Sequence, residues 1–239
     1  MTQNKIQGVG LDQAFVGRMP PFQDMDRDDV RGVLQQATVR RFGYSDTIFE
    51  EDDAAGAFFL LADGFVRLLR TTRDGDHVVV HHVGPGDLFG MARAVECDSY
   101  SVSAKAASDC LILSWPSAAW PEMIAATPTF LRVSQRTLGA RTRELRDKIV
   151  EMATRPVEQR IALAILRMTR QAGRETVDGT EIEFPVTRQD ISELTGANMH
   201  SVSRYMSGWH KAGIVHGSRR RIVVVRPDAL LEIALGRTA

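Results

Sequence analysis

Residues 198–212 carry side chains whose types and spacing suit contact with DNA bases. Val202, Met206 and Trp209 are spaced as i, i+4 and i+7, so a helix places these apolar side chains on one face. The opposite face then carries hydrogen-bonding or cationic side chains and no acidic one: His200, Ser203, Arg204, Ser207 and Lys211. Such a face suits insertion into the major groove, where base edges offer hydrogen-bond donors and acceptors.

The residues just before this segment predict the helix and turn that must hold it. Thr187 and Asp190 have the form of a capping box, which starts a short helix running to about Leu194. Gly196 permits a tight turn, and Asn198 is a favourable N-cap for the next helix. Together these signals predict a helix-turn-helix whose second helix reads DNA.

A basic hairpin is predicted directly after the second helix. Ile214 and Val215 form one β-prone run and residues 222–225 form another, with a basic, glycine-containing tip at 216–221 between them. Such a hairpin is a wing, and its arginines are placed to lie over phosphates. The predicted DNA-contacting residues are Thr187, Arg188, Asn198, His200, Ser201, Ser203, Arg204, Ser207, Lys211, Arg219 and Arg220.

A second interpretation of these features is a helix with a solvated polar face and arginines that keep the domain soluble. For an isolated helix this second interpretation is preferable. Here the capping box, the turn glycine, the two-faced helix and the basic hairpin follow one another in one order. That order favours DNA binding.

The net charge of the chain is zero, but the charges are unevenly distributed. Residues 1–127 carry 11 basic and 18 acidic side chains, residues 128–154 carry 6 and 3, and residues 155–239 carry 13 and 9. The basic excess therefore lies outside the first half, with the predicted DNA-binding part. At 239 residues with 44% apolar content, the chain is long enough for two small domains with cores of their own.

Cysteine use and hydropathy predict a cytoplasmic protein without a membrane partner. Cys97 and Cys110 are the two cysteines, too few for a disulfide framework. No apolar run approaches the roughly 20 residues that span a bilayer, and the N-terminal residues lack a signal-peptide core. The chain also has no nucleophile elbow, phosphate-binding loop or metal-ligand pair, so we expect neither an enzyme nor a metal site.

The first half of the chain is predicted to be a β-sandwich or jelly roll. Short β-prone runs alternate there with glycines and acidic turns. The predicted strands are 38–42, 47–49, 57–61, 65–70, 77–83, 87–89, 101–106 and 111–115. Short helical patterns precede and follow them, at 26–37 and 120–126.

A long helix is predicted to start at Pro128 and to end before Pro156. Its residues at the a and d positions of three heptads are Leu131, Gln135, Leu138, Thr142, Leu145, Ile149 and Met152. A helix packed on its own domain is the alternative, but the strict alternation favours a two-stranded coiled coil and hence a homodimer. The predicted dimer interface comprises Leu131, Leu138, Thr142, Leu145, Ile149 and Met152.

Three glycine turns in the first half carry a family resemblance. They are GAFFLLADGFVRL at 56–68, Asp74-Gly75, and GPGDLFG at 84–90. With the helix-turn-helix and the basic hairpin, they make nearly the whole chain resemble the Crp/Fnr family of bacterial transcription regulators. The resemblance implies an α+β fold with a cyclic-nucleotide-binding-like β-roll at 1–127, a dimerisation helix at 128–153 and a winged helix-turn-helix at 154–239. It further implies a homodimer on inverted-repeat, double-stranded promoter DNA, with RNA polymerase as a partner.

The residues that bind a cyclic nucleotide in this family are replaced here. Nucleotide-binding members have a glutamate after the Phe-Gly turn for the ribose hydroxyl and an arginine before the next strand for the phosphate. Met91 follows Phe89-Gly90 in this chain, and Asp98 and Tyr100 lie where the arginine is expected. Because a buried phosphate requires a cation that can fork onto it, we expect no cAMP binding.

The number and position of possible ligand residues also limit which other cofactors of the family we expect. An iron–sulfur cluster needs about four cysteine thiolates, and residues 1–96 contain none, so no such cluster is expected. A haem needs one or two axial ligands, and the candidates are His77, His81, His82, Met91 and Cys97. Each candidate has a simpler interpretation as a strand or turn residue. The cofactor therefore stays open between haem, another ligand in a pocket formed by Phe89, Met91 and Tyr100, and none.

Family members that lack both the nucleotide contacts and the cysteines include the nitric-oxide-responsive denitrification regulators of the NnrR and Dnr types. The run HSVSR at 200–204 resembles the NnrR type more than the readers with Glu-x-x-x-Arg. This resemblance implies an activator that responds to nitric oxide or low oxygen and controls denitrification genes. The alternative is a Crp-like regulator that binds another small ligand in the β-roll pocket.

Overall fold

The computed structural model describes residues 4–5, 16–75, 77–218 and 220–237. Contacts divide the chain into two compact units. The first unit comprises Met1–Arg70 and His81–Arg143, and the second comprises Thr71–Val80 and Glu144–Ala239. No helix within the described ranges is both long and apolar enough to cross a membrane.

The first unit contains a short helix and two β-sheets. Helix α1 (Arg27–Gln35) starts at Asp26, whose carboxylate accepts hydrogen bonds from two backbone N–H groups of the first turn. The strands are β1 (Asn4–Lys5), β2 (Thr38–Phe42), β3 (Thr47–Phe49), β4 (Ala57–Asp63), β5 (Val66–Thr71), β6 (His77–Val83), β7 (Leu88–Phe89), β8 (Ser103–Ala106) and β9 (Cys110–Pro116). One sheet has the order β1-β2-β9-β4-β7, and the other has the order β3-β8-β5-β6. Residues 77–80 of β6 belong to the second unit.

All eight strands predicted from the sequence are present, with ends that differ by at most two residues. The largest differences are that β4 runs on to Asp63 and that β8 starts at Ser103. Strand β1 was not predicted; it pairs antiparallel with the start of β2. The helices after the roll also have the predicted bounds: α2 (Trp120–Ala126) and α3 (Pro128–Thr154).

Two buried clusters fill the first unit. Trp115 stacks on Phe58 at 5.4 Å between ring centroids, and its indole N–H donates to the carbonyl of Val33 at 2.8 Å. This bond joins α1 to the first sheet. Trp115, Phe58 and Val33 belong to the first cluster, which also contains Met91. The second cluster lies between the sheets and contains the stacked rings of Phe49, Phe59, Phe89 and Tyr100. Large rings packed in this way contribute much of a small domain's stability.

The second unit is a helical domain with a four-stranded sheet. Its elements are α4 (Val157–Ala172), β10 (Gly173–Thr176), β11 (Gly179–Ile182), α5 (Arg188–Thr195), α6 (Met199–Lys211), β12 (Val215–Ser218), β13 (Arg221–Val224) and α7 (Pro227–Leu235). The sheet has the order β10-β11-β13-β12. Pro156, before which the long helix was predicted to end, is the N-cap of α4.

Lys148 holds residues 71–80 within the second unit. Its ammonium group on α3 donates to the carbonyl of Val79 at 2.7 Å. Glu151, one turn further along the helix, forms an ion pair with Arg167 of α4. Burial, and secondly the nearby charge of Arg167, lower the pKa of Lys148 to about 8.

Replacing Lys148 with methionine is expected to remove a contribution to stability that rises with pH in alkaline solution. Between the folded pKa of about 8 and the ordinary 10.5, the unfolded chain binds more protons at Lys148 than the folded chain. The free energy of unfolding contributed by this group therefore rises with pH across that window. Urea unfolding from neutral to alkaline pH should show that the free energy of unfolding of the wild type, minus that of Lys148→Met, rises with pH across this window.

The wild type has to be compared with the variant because the ionisation of Cys110 and Tyr100 changes stability with pH in the opposite direction. Burial raises the pKa of both groups, so their contribution to stability falls as pH rises past their ordinary values. These two groups are present in both proteins and cancel in the difference. Lys211→Met, at an exposed position, is the matched control. Parallel curves for the wild type and Lys148→Met would contradict the prediction.

Candidate nucleic-acid interface

The helix-turn-helix forms through local capping, as the sequence predicted. The Thr187 hydroxyl accepts from the N–H of Asp190 at 3.1 Å, and the Asp190 carboxylate accepts from the N–H of Thr187 at 2.7 Å. Gly196 ends α5 in the left-handed conformation, with a φ of 63°. Asn198 then caps α6 by accepting from the N–H of Ser201 at 2.8 Å. These bonds fix the angle at which α6 leaves the turn.

Helix α6 has one buried face and one exposed face. Val202, Met206 and Trp209 are buried, as predicted. The Trp209 indole N–H donates to the carboxylate of Glu158 on α4 at 3.4 Å. His200, Arg204 and Lys211 are exposed, and Ser203 and Ser207 are half-buried. The packing therefore holds the acid-free face outward.

The wing is an antiparallel hairpin of β12 and β13, with Val215 opposite Val224 and Ser218 opposite Arg221. Its strands extend further into the basic tip than the sequence predicted. Arg220 is exposed at the turn, whereas Arg219 lies outside the described residues. The wing therefore presents Arg220 at its end.

Arg221, the third arginine of the run, is bound within the domain. Its guanidinium donates two bonds to the carboxylate of Glu181 on β11, at 2.6 and 2.9 Å. The hydrogen bond from Arg221 lowers the pKa of Glu181, and the same bond raises the pKa of Arg221. Arg221 thus joins the wing to β11 and neutralises the acid nearest to it.

A groove runs between the start of α5, the end of α6 and the wing. It brings together five of the predicted DNA-contacting residues: Thr187, Arg188, Ser207, Lys211 and Arg220. Arg188 spans the two helices through a 3.5 Å bond to the Ser207 hydroxyl. The other predicted contacts with described positions lie on or before the first half of α6: Asn198, His200, Ser201, Ser203 and Arg204.

Two histidines in this groove were not among the predicted contacts. His210 in the last turn of α6 and His216 on β12 place their rings edge to face, with centroids 5.2 Å apart. The signal available in the sequence was the position of His210 one residue before Lys211. The contact with His216 depends on how the hairpin folds back, which the sequence pattern does not specify.

Asp98 and Tyr100, which lie where the resemblance predicts a phosphate-binding arginine, contact other groups of the protein. The Tyr100 hydroxyl donates to the carbonyl of Ala57 at 2.6 Å and accepts from the same residue's N–H at 3.1 Å. The Tyr100 ring stacks on Phe49 with centroids 3.9 Å apart. Burial raises the pKa of Tyr100. Arg93, the nearest arginine in sequence, forms an ion pair with Asp98.

The residues around the Phe-Gly turn do not line one common pocket. Met91 packs in the first cluster, whereas Phe89 and Tyr100 belong to the second. The expected pocket of Phe89, Met91 and Tyr100 is therefore wrong, because the chain turns at Gly90 and sends Met91 to the other side of the sheet. A Cβ on Gly90 would lie 2.8 Å from a ring carbon of Phe59, so this turn has no room for a side chain.

Three of the haem-ligand candidates, His77, His81 and His82, lie on β6, the edge strand of the sheet β3-β8-β5-β6. His77 is exposed, with a ring nitrogen 3.2 Å from the Thr71 hydroxyl, and Cys97 is exposed in the turn after Val95. His81 is half-buried and His82 is buried. Among the residues that the structure describes, no group of three or more His, Cys, Asp or Glu side chains is arranged to hold a metal ion.

The predicted dimer residues divide into two groups along α3. Leu131 and Leu138 are half-buried, and Leu138 packs against the first cluster of its own chain. Thr142 is exposed, with its hydroxyl donating to the Leu138 carbonyl at 2.9 Å. Leu145, Ile149 and Met152 are 44%, 67% and 49% exposed. An exposed apolar row of this kind marks an interaction surface.

Two protein-family models match the chain. A cyclic nucleotide-binding domain matches residues 39–127, and a Crp-like helix-turn-helix domain matches residues 159–233. The first match covers most of the two-sheet roll, and the second covers α4 to most of α7.

Individual relatives agree with these matches. The cyclic AMP receptor protein of Thermus thermophilus is 26% identical over 91% of this chain and 97% of its own length. The nitrogen fixation regulation protein FixK of Bradyrhizobium diazoefficiens is 24% identical over 79% of this chain and 80% of its own. The solved structure of FixK2 from Bradyrhizobium japonicum superposes with a TM-score of 0.72, at 24% identity, over 82% of this chain and 96% of that one.

Proposed function

Because the chain belongs to the Crp/Fnr family of DNA-binding transcription regulators, we propose that it acts as a homodimer on an inverted-repeat promoter site. One observation carries this proposal. The acid-free face of α6 is held outward by the burial of Val202, Met206 and Trp209, beside a wing that ends in Arg220. Such a helix enters a major groove while the wing follows the phosphates. RNA polymerase is the proposed partner on the promoter.

Dimerisation through α3 is supported by the exposed row of Leu145, Ile149 and Met152. In a parallel coiled coil these a and d side chains pack against the same residues of a second copy. A two-fold dimer presents two reading helices to half-sites about one helical turn, roughly 34–36 Å, apart. The half-buried Leu131 and Leu138 continue the proposed seam where α3 also packs on its own unit.

The double variant Leu145→Ala with Ile149→Ala is expected to weaken dimerisation and DNA binding together. Both residues are exposed in a single chain, so the folded protomer should tolerate the change. Truncating an apolar side chain that is buried in an interface costs about 2–5 kcal/mol. Sedimentation across a concentration series measures the monomer–dimer equilibrium. Val150→Ala, exposed on another face of α3, is the matched control. A double variant that sediments as an intact dimer would refute the coiled-coil seam.

Base reading is assigned to Arg204, which is exposed on α6. An arginine forks two donors onto guanine O6 and N7, which is worth about 1–3 kcal/mol of discrimination. By family resemblance the half-site is of the TTG…CAA type at this guanine. His200 replaces a glutamate that accepts from cytosine in many relatives. A neutral imidazole is not a two-oxygen acceptor, so the neighbouring base should be less restricted.

Arg204→Ala is expected to abolish the preference for guanine, while Arg220→Ala should weaken binding to all sequences alike. Arg220 lies at the wing, where a phosphate contact carries no base information. Loss of one phosphate contact in each protomer also lowers the salt slope of the dimer by about two. Selection from a random-sequence pool, followed by salt titrations, measures both effects. If Arg204→Ala selects the same guanine, α6 is not the reader.

We propose that the β-roll does not respond to a cyclic nucleotide, although one relative is named a cyclic AMP receptor protein. Two features support this. Met91 is buried in the first cluster instead of offering a carboxylate, and the hydroxyl of Tyr100 is bonded to Ala57. Arg93 is paired with Asp98. A cyclic phosphate would therefore have to break existing contacts to gain a cation.

Calorimetric titration of the purified protein with cAMP and cGMP is expected to give no binding heat. Micromolar affinity requires about 8 kcal/mol, which a site without a committed cation cannot supply. A gel shift on the selected DNA, with the same sample and with either nucleotide present, provides the control for a folded and active protein. Micromolar binding of either nucleotide would overturn this part of the proposal.

The physiological signal is proposed to be nitric oxide or low oxygen, with denitrification genes as targets. The lack of nucleotide contacts and of N-terminal cysteines, and the likeness to a FixK protein that regulates nitrogen fixation, support this class of signal. A haem is one route, and the absorption spectrum of protein purified without oxygen decides it. A Soret band that shifts with nitric oxide identifies haem, and its absence favours another small ligand or none.

A further inference from the structure

The guanidinium of Arg204 lies on the ring of its neighbour Tyr205. The central carbon of the guanidinium is 4.8 Å from the ring centroid, and one terminal nitrogen donates to the Tyr205 hydroxyl at 3.1 Å. Arg204 is exposed, whereas Tyr205 is half-buried. The side chain assigned to base reading is therefore held by a cation–π contact and a hydrogen bond before any DNA is present.

This contact is unusual because adjacent residues on a helix point about 100° apart and do not face each other. The side chain of Arg204 has to lie across the helix surface to reach Tyr205. Ser201 and Gly208 lie on that part of the helix surface, and neither has a large side chain. A Cβ added to Gly208 would meet no atom within 4 Å. The guanidinium therefore does not lie against the Gly208 position, which stays open.

Tyr205 in turn contacts a buried residue of the same helix. Its ring packs against Trp209, with centroids 6.2 Å apart and planes inclined by 32°. Trp209 is buried, and its indole N–H donates to Glu158 of α4 at 3.4 Å. A continuous set of contacts thus connects α4 through Trp209 and Tyr205 to the guanidinium of Arg204. A ring supported in this way can restrain a long flexible side chain.

We propose that Tyr205 is a positioning residue that sets the orientation of Arg204 and thereby its selectivity for guanine. This inference rests on the proposed function, in which Arg204 reads the base. A guanidinium has five N–H donors in one plane, and the fork onto guanine uses two of them. One further donor serves the Tyr205 hydroxyl, so the stack persists while the base is bound. Restraining the side chain beforehand reduces the rotamer freedom that it loses on binding.

The positioning role differs from two simpler roles in what it predicts. If Tyr205 only packs α6 onto the domain, its loss weakens binding to all sequences and lowers stability. If its hydroxyl only contacts a phosphate, Tyr205→Phe is as harmful as removal of the whole ring, and every sequence is affected alike. A positioning role instead lowers the ratio between affinities for the guanine site and for a site with that guanine replaced. In that case most of the discrimination depends on the aromatic ring, which phenylalanine retains.

The test compares Tyr205→Leu, Tyr205→Phe and Arg204→Ala with the wild type, all as full-length protein. Fluorescence competition measures affinity for the selected site, for the same site with the guanine replaced, and for unrelated DNA. Tyr205→Leu is expected to lower the guanine discrimination ratio by about threefold to tenfold, with affinity for unrelated DNA unchanged. Tyr205→Phe should retain most of the discrimination. Urea unfolding of each variant reports any loss of stability separately.

Two outcomes overturn the proposal and are distinguishable from each other. If Arg204→Ala abolishes discrimination but Tyr205→Leu leaves it intact, or lowers binding to all DNA equally, Tyr205 does not position Arg204. If Arg204→Ala leaves discrimination unchanged, the assignment of Arg204 as the reader fails, and the positioning role fails with it.

Discussion

The burial of one face of α6 is the constraint on which the DNA-binding unit depends. Val202, Met206 and Trp209 can be removed from water only in one rotation of the helix about its axis, and that rotation points Arg204 outward. The capping bonds at Thr187 and Asn198 then set the angle between the two helices. Because hydrophobic burial and capping are both local to this unit, the exposed acid-free face of α6 is formed in the free protein. The cost of ordering it is therefore met during folding and not on DNA binding.

Ion pairs and aromatic contacts within this unit decide which of its arginine side chains are held against the protein. The arginine run of the wing does not act as one block, since Arg221 is bound to Glu181 while Arg220 lies exposed at the tip. Arg204 is likewise partnered, but by the neutral ring of Tyr205, which leaves its charge available to a base. Pairing with an acid removes a cation from the interface, whereas stacking on an aromatic ring only restrains it. The two kinds of partner thus support the different roles that we propose for Arg221 and Arg204.

The first unit has the fold of a cyclic nucleotide-binding domain, with Met91 and Tyr100 where the family resemblance predicts a glutamate and an arginine. The glycine turns and the two sheets remain, but an aromatic cluster and the hydrogen bonds between Tyr100 and Ala57 occupy the region after the Phe-Gly turn. A fold of this kind does not specify its ligand, because ligand binding depends on a few side chains at the site. The proposed regulator therefore keeps the architecture of a nucleotide sensor and is expected to answer to another signal.

The strands of the roll, the helix-turn-helix and its caps were predictable because their signals are local: short β-prone runs, glycine turns, and capping residues within three or four positions. Strands β10 and β11 and helix α7 were missed. The two strands are short, charged and mostly not buried, so no hydrophobic period marks them. The sequence by itself determined the family and the two faces of α6, and it predicted the a and d row from Leu131 to Met152 without showing which part of it is exposed. Only the tertiary structure decided that Arg221 pairs with Glu181, 40 positions away, and that Tyr100 bonds to Ala57, 43 positions away. Such partners meet because sheets bring distant segments together, and no periodicity within one segment records which residue lies opposite.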